Sequence, residues 1–417
     1  MKLLKNEYIS TAIGKFSTIL GTVITTVLLN RYLGPQLRGE YSLVINQMAL
    51  IVGVLNLGLP QVYHYYYRKS EDDCKVFENL VMTQFVILLI LSFILQFNVK
   101  NNSSKIIILL VPIVVFAQQL NIISLVRNLN KRNKNNVIVA IFNVLMWIYV
   151  YFFSKTNIYL AYLVYAAKEI FLCIKSLKIV NYKLEYYRFE PKKWISILGV
   201  SFLPMVTMLL NTMNYRIDTI ILGYSVNLYE LGLYSAGLSI AEMAWVIPDI
   251  FKEVMFNKTA KDDSTETISR LLRITFIINI LMIITICIGS KLIIHILMGD
   301  EYLEAYKIVM IMFLGIPSMS FFKIINPVYL AKGDRNFAFK VLLYSVISNI
   351  LLNFVFIPRY GIYGAAISSV ISYSICGIWF LISFSKTFDI NIKDSIILKK
   401  EDIDIILKYT SLKYIKK

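Results

Sequence analysis

The chain has 417 residues, of which 57% are hydrophobic, and carries a formal net charge of +17. Apolar stretches of membrane-spanning length recur along it, so the basic excess reads as loop asymmetry and attraction to anionic headgroups, and no nucleic-acid partner is expected. Four cysteines in separate segments and only two histidines leave no extracellular disulfide pair and too few ligands for a metal centre.

Twelve stretches are long and apolar enough to cross a bilayer: residues 8–30, 41–66, 79–98, 106–126, 137–153, 158–177, 195–223, 232–255, 274–298, 308–330, 341–357 and 362–385. The first has no short apolar core followed by a small-residue cleavage site, so it is expected to stay as a helix. With the N-terminus taken as cytoplasmic, inner connections hold 31 of the 43 basic residues and outer connections 8. The positive-inside rule then puts both termini in the cytoplasm of a multi-pass membrane protein. Outer connections are short, none longer than about ten residues, which leaves no room for an external catalytic domain. No glycine-rich phosphate loop with its lysine occurs. What remains is movement of a solute, not catalysis.

Gly39-Glu40-Tyr41-Ser42 opens the second stretch and Gly232-Leu233-Tyr234-Ser235 opens the eighth, 193 residues later. A proline follows late in each helix, Pro60 and Pro248. Six stretches separate equivalent positions, and an even number preserves orientation, so the pattern fits two parallel repeats. Residues 1–177 and 195–386 would be two six-helix bundles, 178–194 a basic cytoplasmic linker, and 387–417 a tail. That tail alternates apolar pairs with charges and is expected to lie on the inner membrane face as a dispensable amphipathic helix. Tyr63, Tyr65, Tyr66 and Tyr67 fit an aromatic belt at a membrane boundary. The adjacent acids Asp72-Asp73 and Asp262-Asp263 read as solvated loop charge.

Seven ionisable residues at membrane depth are the candidate site. Counted at about 1.5 Å per residue, Lys15 lies about 10–12 Å, Lys168 about 14 Å and Lys323 about 11 Å from the cytoplasmic edge, and Arg216 about 10 Å from the outer edge. Each lysine either lines a watery path or lifts its charge to the headgroups. Asp218, two residues from Arg216, points to another side of the helix, as a path residue or a helix-end anchor. Glu242 and Glu169 either neutralise a lysine or bind a driving cation. Amides such as Asn211, Asn279, Asn349 and Asn353 are expected to bond between helices.

Several segments resemble a known family. Arg31-Tyr32-Leu33-Gly34-Pro35, Asn214 through Gly223 with Leu231 through Ala236, Leu330 through Asp334, and Asn353 through Ala366 resemble, in order and spacing, polysaccharide exporters of the Wzx or O-antigen flippase type. The resemblance implies an all-α fold shared with multidrug and toxin extrusion proteins, two six-helix bundles around a central cavity. It implies that an undecaprenyl-diphosphate-linked oligosaccharide crosses the bacterial inner membrane, with Arg216, Lys15, Lys323 and Lys168 offsetting the diphosphate charge. It further implies a polysaccharide polymerase and chain-length proteins as partners. No cofactor is expected, and a proton or sodium gradient is the candidate driving force. An antiporter of small cations on the same fold is the alternative, for which an acidic cavity should dominate.

Overall fold

The computed structural model describes residues 2–182, 187–246, 248–249 and 265–402. Among them every regular element is helical. The helices are α1 (Lys2–Leu55), α2 (Leu59–Lys69), α3 (Glu71–Asn98), α4 (Asn102–Arg127), α5 (Leu129–Phe153), α6 (Ile158–Val180), α7 (Pro191–Ser225), α8 (Leu228–Met243), α9 (Thr265–Met298), α10 (Ala305–Phe313), α11 (Ile316–Ala331), α12 (Arg335–Phe388) and α13 (Ile392–Ile396).

Seven of these runs are long and apolar enough to cross a membrane, and α10 with α11, bent by 49°, makes an eighth. Gly34, at φ 65° and followed by Pro35, and Gly361, at φ 54° and three residues after Pro358, are non-helical points where two helices meet across a kink. Only glycine enters that backbone region cheaply, and the nearby proline withdraws a helix N–H, so α1 and α12 each supply two arms. With α6 and α8 the described chain carries twelve crossing segments. The stretch read as 41–66 ends at Leu55, and α2 restarts with Pro60 in its first turn, where a missing N–H is harmless. Asp72 and Asp73, read as loop charge, instead form the first turn of α3 behind the Ser70 cap, where carboxylates meet the helix's positive end. Asp262-Asp263 lies outside the described residues.

The chain divides into two compact units, residues 1–236 with 297–302 and residues 237–296 with 303–417. In the first, one apolar core joins α1, α4, α5 and α6 around Val44, Met48, Val114 and Trp147. A second joins α2, α3, α4, α6 and the start of α7 around Leu59, Tyr63, Phe77 and Leu120. In the second unit the Phe380 ring is met by Phe322, Tyr329 and Phe337 at centroid distances of 5.1, 6.0 and 4.9 Å. Val86, Ile90, Phe93 and Phe97 leave one face of α3 apolar and exposed, a surface suited to lipid.

The two Gly-x-Tyr-Ser copies meet inside the first unit. A β-carbon on Gly39 would collide with the backbone carbonyl of Leu228, and one on Gly232 with that of Pro35. Leu228 stands 193 residues after Pro35, the offset that relates the glycines. Each motif thus receives the other at the equivalent position, as a two-fold relation requires. The helices that follow are also alike: α1 breaks after Leu55 ahead of Pro60, and α8 breaks at Ala244 and Trp245 ahead of Pro248.

The tail is anchored at its described end. Asp402 and Arg273 of α9 are both fully buried; the Arg273 guanidinium donates to both carboxylate oxygens, at 2.6 and 3.0 Å, and Arg270 adds a third bond at 3.1 Å. Residues 387–402 are therefore tied to the second unit by charge; residues 403–417 lie outside the described residues. Burial alone would raise the Asp402 carboxyl, but the Arg273 hydrogen bonds, the Lys399 N–H and the guanidinium charges outweigh it and hold it below the usual carboxylate range.

We expect Gly39→Ala and Gly232→Ala each to lower stability by about 1–3 kcal/mol through backbone overlap, read as thermal unfolding of the purified protein. Gly199→Ala, with no atom within 4 Å of the added carbon, should be neutral or gain about 0.5–1 kcal/mol. Asp402→Ala should cost about 3 kcal/mol by leaving Arg273 buried without its main counterion. Because the folded carboxyl is depressed, the latch contributes fully above the unfolded value of about 3.9 and is lost as pH falls through the folded value. An acid-side unfolding midpoint unchanged in Asp402→Asn would contradict this.

Candidate functional site

Four helices of the first unit, α1, α4, α5 and α6, enclose a cavity of about 340 Å³. Helical periodicity builds two of its walls: Thr18, Thr22, Thr25 and Leu29 repeat at four, three and four residues along α1, and Asn136, Ala140, Asn143 and Trp147 repeat identically along α5. Gly21 and Ala140 let these helices approach, a β-carbon on Gly21 falling 3.2 Å from that of Ala140. The third wall carries Tyr165, Lys168 and Leu172 of α6, and α4 contributes Asn121.

Three of the α1 hydroxyls are committed as donors. Thr18 donates to the Lys15 carbonyl at 2.8 Å, Thr22 to that of Thr18 at 2.9 Å and Thr25 to that of Thr22 at 3.0 Å. Their lone pairs are what the cavity receives. On the opposite wall, Asn121 accepts from Arg132 at 3.1 Å and keeps its amide hydrogens. Among the described residues no side-chain bond claims Asn136 or Asn143. Tyr41 closes the wall near the Gly34 bend and stacks on Tyr162 at 5.3 Å.

Of the sequence-predicted residues, Lys168 and Glu169 come together here. Lys168 lines the cavity, lies over the Tyr165 ring at 4.9 Å and pairs with the buried Glu169 at 2.6 Å. Lys15 is half-buried just beyond Thr18 and is not on the lining. Arg216 is half-buried on α7, while Asp218 is fully buried on another face, as the spacing implied. Asp218 accepts from the Tyr234 hydroxyl and from the Thr219 N–H at 2.6 Å. In the second unit Lys323 donates to Asp249 at 2.8 Å and sits 4.8 Å over the Trp245 ring. Glu242 is half-buried near the end of α8. Lys168 and Lys323 are thus each engaged by a carboxylate.

Three assignments change. Arg38, counted with the outer loop, is buried inside α1 and donates to Asn30 and Ser42, each at 2.7 Å. Tyr63 and Tyr66 belong to the core and not to an aromatic belt, whereas Tyr65 and Tyr67 are exposed. Tyr63 donates to Glu78 at 2.8 Å, and Glu78 is clamped by Arg127 at 2.5 and 2.7 Å. Interhelical amide bonding holds for Asn279, which donates to Ser320 at 2.9 Å, and for Asn349, which reaches Ser369 at 3.4 Å. The threonine and asparagine ladders escaped the sequence reading because neither type is ionisable; their shared periodicity was the available signal.

The family model for polysaccharide biosynthesis proteins matches residues 3–248, and that for the lipid II flippase MurJ matches residues 194–413. No individual curated protein matches significantly. Among solved structures, a lipid II flippase MurJ in an inward closed conformation superposes with a TM-score of 0.75 at 17% identity, over 93% of this chain and 89% of that one. A multidrug resistance MATE family transporter of the MOP superfamily, in an inward-facing conformation, gives 0.69 at 11% identity over 92% and 99%. At such identities these superpositions show the fold, while the two family models each span more than half of the chain. The chain therefore belongs to the polysaccharide biosynthesis protein and MurJ flippase families.

Proposed function

We propose that this flippase moves an undecaprenyl-diphosphate-linked oligosaccharide, an O-antigen or capsule repeat unit, from the cytoplasmic to the outer leaflet of the bacterial inner membrane. What supports this above all is the cavity of the first unit: hydroxyls, amides and aromatic rings walled in by four crossing helices suit a sugar, and its carboxylate neighbour is already engaged by Lys168. An exporter of small organic cations needs an uncompensated acid facing its path, and the lining supplies none among the described residues. Both termini lie in the cytoplasm, and the two six-helix halves alternate access, drawing on a proton or sodium gradient. Arg216 compensates the crossing diphosphate, since its guanidinium stays charged and offers a planar fork to phosphate oxygens; Lys15 assists. A polymerase and chain-length proteins take up the product.

In a strain whose own exporter is deleted, this chain should restore surface glycan and clear the lipid-linked intermediate from the cytoplasmic leaflet. Arg216→Ala should slow clearance by roughly 10- to 100-fold at matched protein level, the loss expected for one charged contact. Arg216→Lys should recover part of it if charge dominates and little if the fork does. Persistent intermediate with the wild-type chain, in a strain making the cognate glycan, would overturn the function; normal clearance with Arg216→Ala would overturn only the role of that residue.

A further inference from the structure

We infer that the cavity between α1 and α5 is a subsite for uncharged sugar, and that the lipid diphosphate is read elsewhere. This rests on the flippase reading and specifies which part of the substrate enters which wall. Donor and acceptor chemistry separates the two groups. A diphosphate is an acceptor-only group and needs donors or positive charge around it. One stripe of the α1 wall presents the reverse: Thr18, Thr22 and Thr25 have each spent their proton on a helix carbonyl, so these three oxygens meet the cavity as acceptors, while Thr26 and Tyr41 add hydroxyls to the same wall. Lys168, which sequence assigned to the diphosphate, is held 2.6 Å from Glu169, so the ammonium arrives with a countercharge beside it.

A pyranose fits what is left. Its hydroxyls donate to the threonine oxygens, and the unclaimed Asn136 and Asn143 amides each offer a donor and an acceptor, the pair that an N-acetyl group also presents. Trp147 and Tyr41 lie toward the Gly34 bend, where an apolar sugar face can rest on a ring. Thr18 to Leu29 spans about 16 Å at about 1.5 Å per residue, enough for more than one ring in a row. An acidic sugar is disfavoured, because its carboxylate would face three acceptor oxygens, and the one ammonium on the lining is already paired with Glu169.

Site-directed alkylation separates the alternatives. Thr22→Cys is made in a chain that also carries Cys287→Ala, removing the exposed native thiol, and the full-length protein is placed in lipid nanodiscs. Maleimide labelling at position 22 is timed with N,N′-diacetylchitobiose, with glucuronic acid or with sodium pyrophosphate, each raised to its solubility limit. Chitobiose should slow labelling at least about threefold, and pyrophosphate and glucuronic acid should not. Asn143→Leu in the same background should weaken that protection about 2- to 10-fold, the effect of one neutral hydrogen bond. In cells, Thr22→Val with Thr25→Val should reduce clearance of a lipid bearing neutral sugars while the protein still inserts. Protection by pyrophosphate, or no protection by chitobiose together with normal clearance in the double valine variant, would overturn the sugar subsite. Neither result touches the flippase reading, which fails only if the wild-type chain leaves the lipid-linked intermediate uncleared.

Discussion

The structure depends on a place where two backbones come so close that neither accepts a β-carbon. Gly39 lies against the Leu228 carbonyl and Gly232 against that of Pro35. Because those contacts exchange under a shift of 193 residues, one short motif used twice builds both sides of the junction. The junction fixes the second arm of α1 against the start of α8, and it orients the tyrosine two residues beyond each glycine. Their environments then diverge. Tyr41 stands in the wall of an open cavity, with Thr25 across from it on the first arm of α1. Tyr234 donates to Asp218, which is the residue 193 positions after Thr25. The first copy leaves its polar groups on the lining of a cavity; the second copy pairs them with each other.

The same economy governs the other charges at depth. An isolated ion in a low-dielectric interior costs several kcal/mol, so a membrane protein keeps one only with a partner or with water beside it. Lys168 has Glu169, Lys323 has Asp249, and Glu78 has Arg127 with the Tyr63 hydroxyl. Arg38 is held by neutral oxygens of Asn30 and Ser42 and lies 5.7 Å from the Tyr41 ring centroid. Pairing of this kind fixes helix register, because a one-residue slip of α3 would carry Glu78 about 100° around the helix, away from Arg127.

The twelve segments, the helical class and the repetition of the glycine motif were legible because they follow from long-range patterns, apolar run length and a tetrapeptide repeated at a fixed offset; that the two copies touch was not. The seven ionisable residues were legible as unusual, but not their partners. Lys168 and Glu169 adjoin in sequence, whereas Lys323 and Asp249 are 74 residues apart, and nothing in periodicity couples positions so distant. The breaks at Gly34 and Gly361 were legible because glycine and proline close together signal the end of a helix, and two helices do meet across a kink at each. Arg38 and Tyr63 were misplaced because polar residues near a span end look exposed until the packing of neighbouring helices is known.

A flippase must release what it binds, and this constrains where fixed charge belongs. An uncompensated lysine facing a diphosphate in a low-dielectric cavity would interact far more strongly than in water, and the complex would become a trap. Neutral hydrogen bonds behave differently: each exchanges for one with water at a net of about 0.5–1.5 kcal/mol, so several together confer selection without immobility. The first-unit cavity has that character, with its ammonium balanced by Glu169 and its threonine protons turned back into the helix. Selection by many weak acceptors would discriminate ligands by hydroxyl geometry and leave charge recognition to other positions along the path.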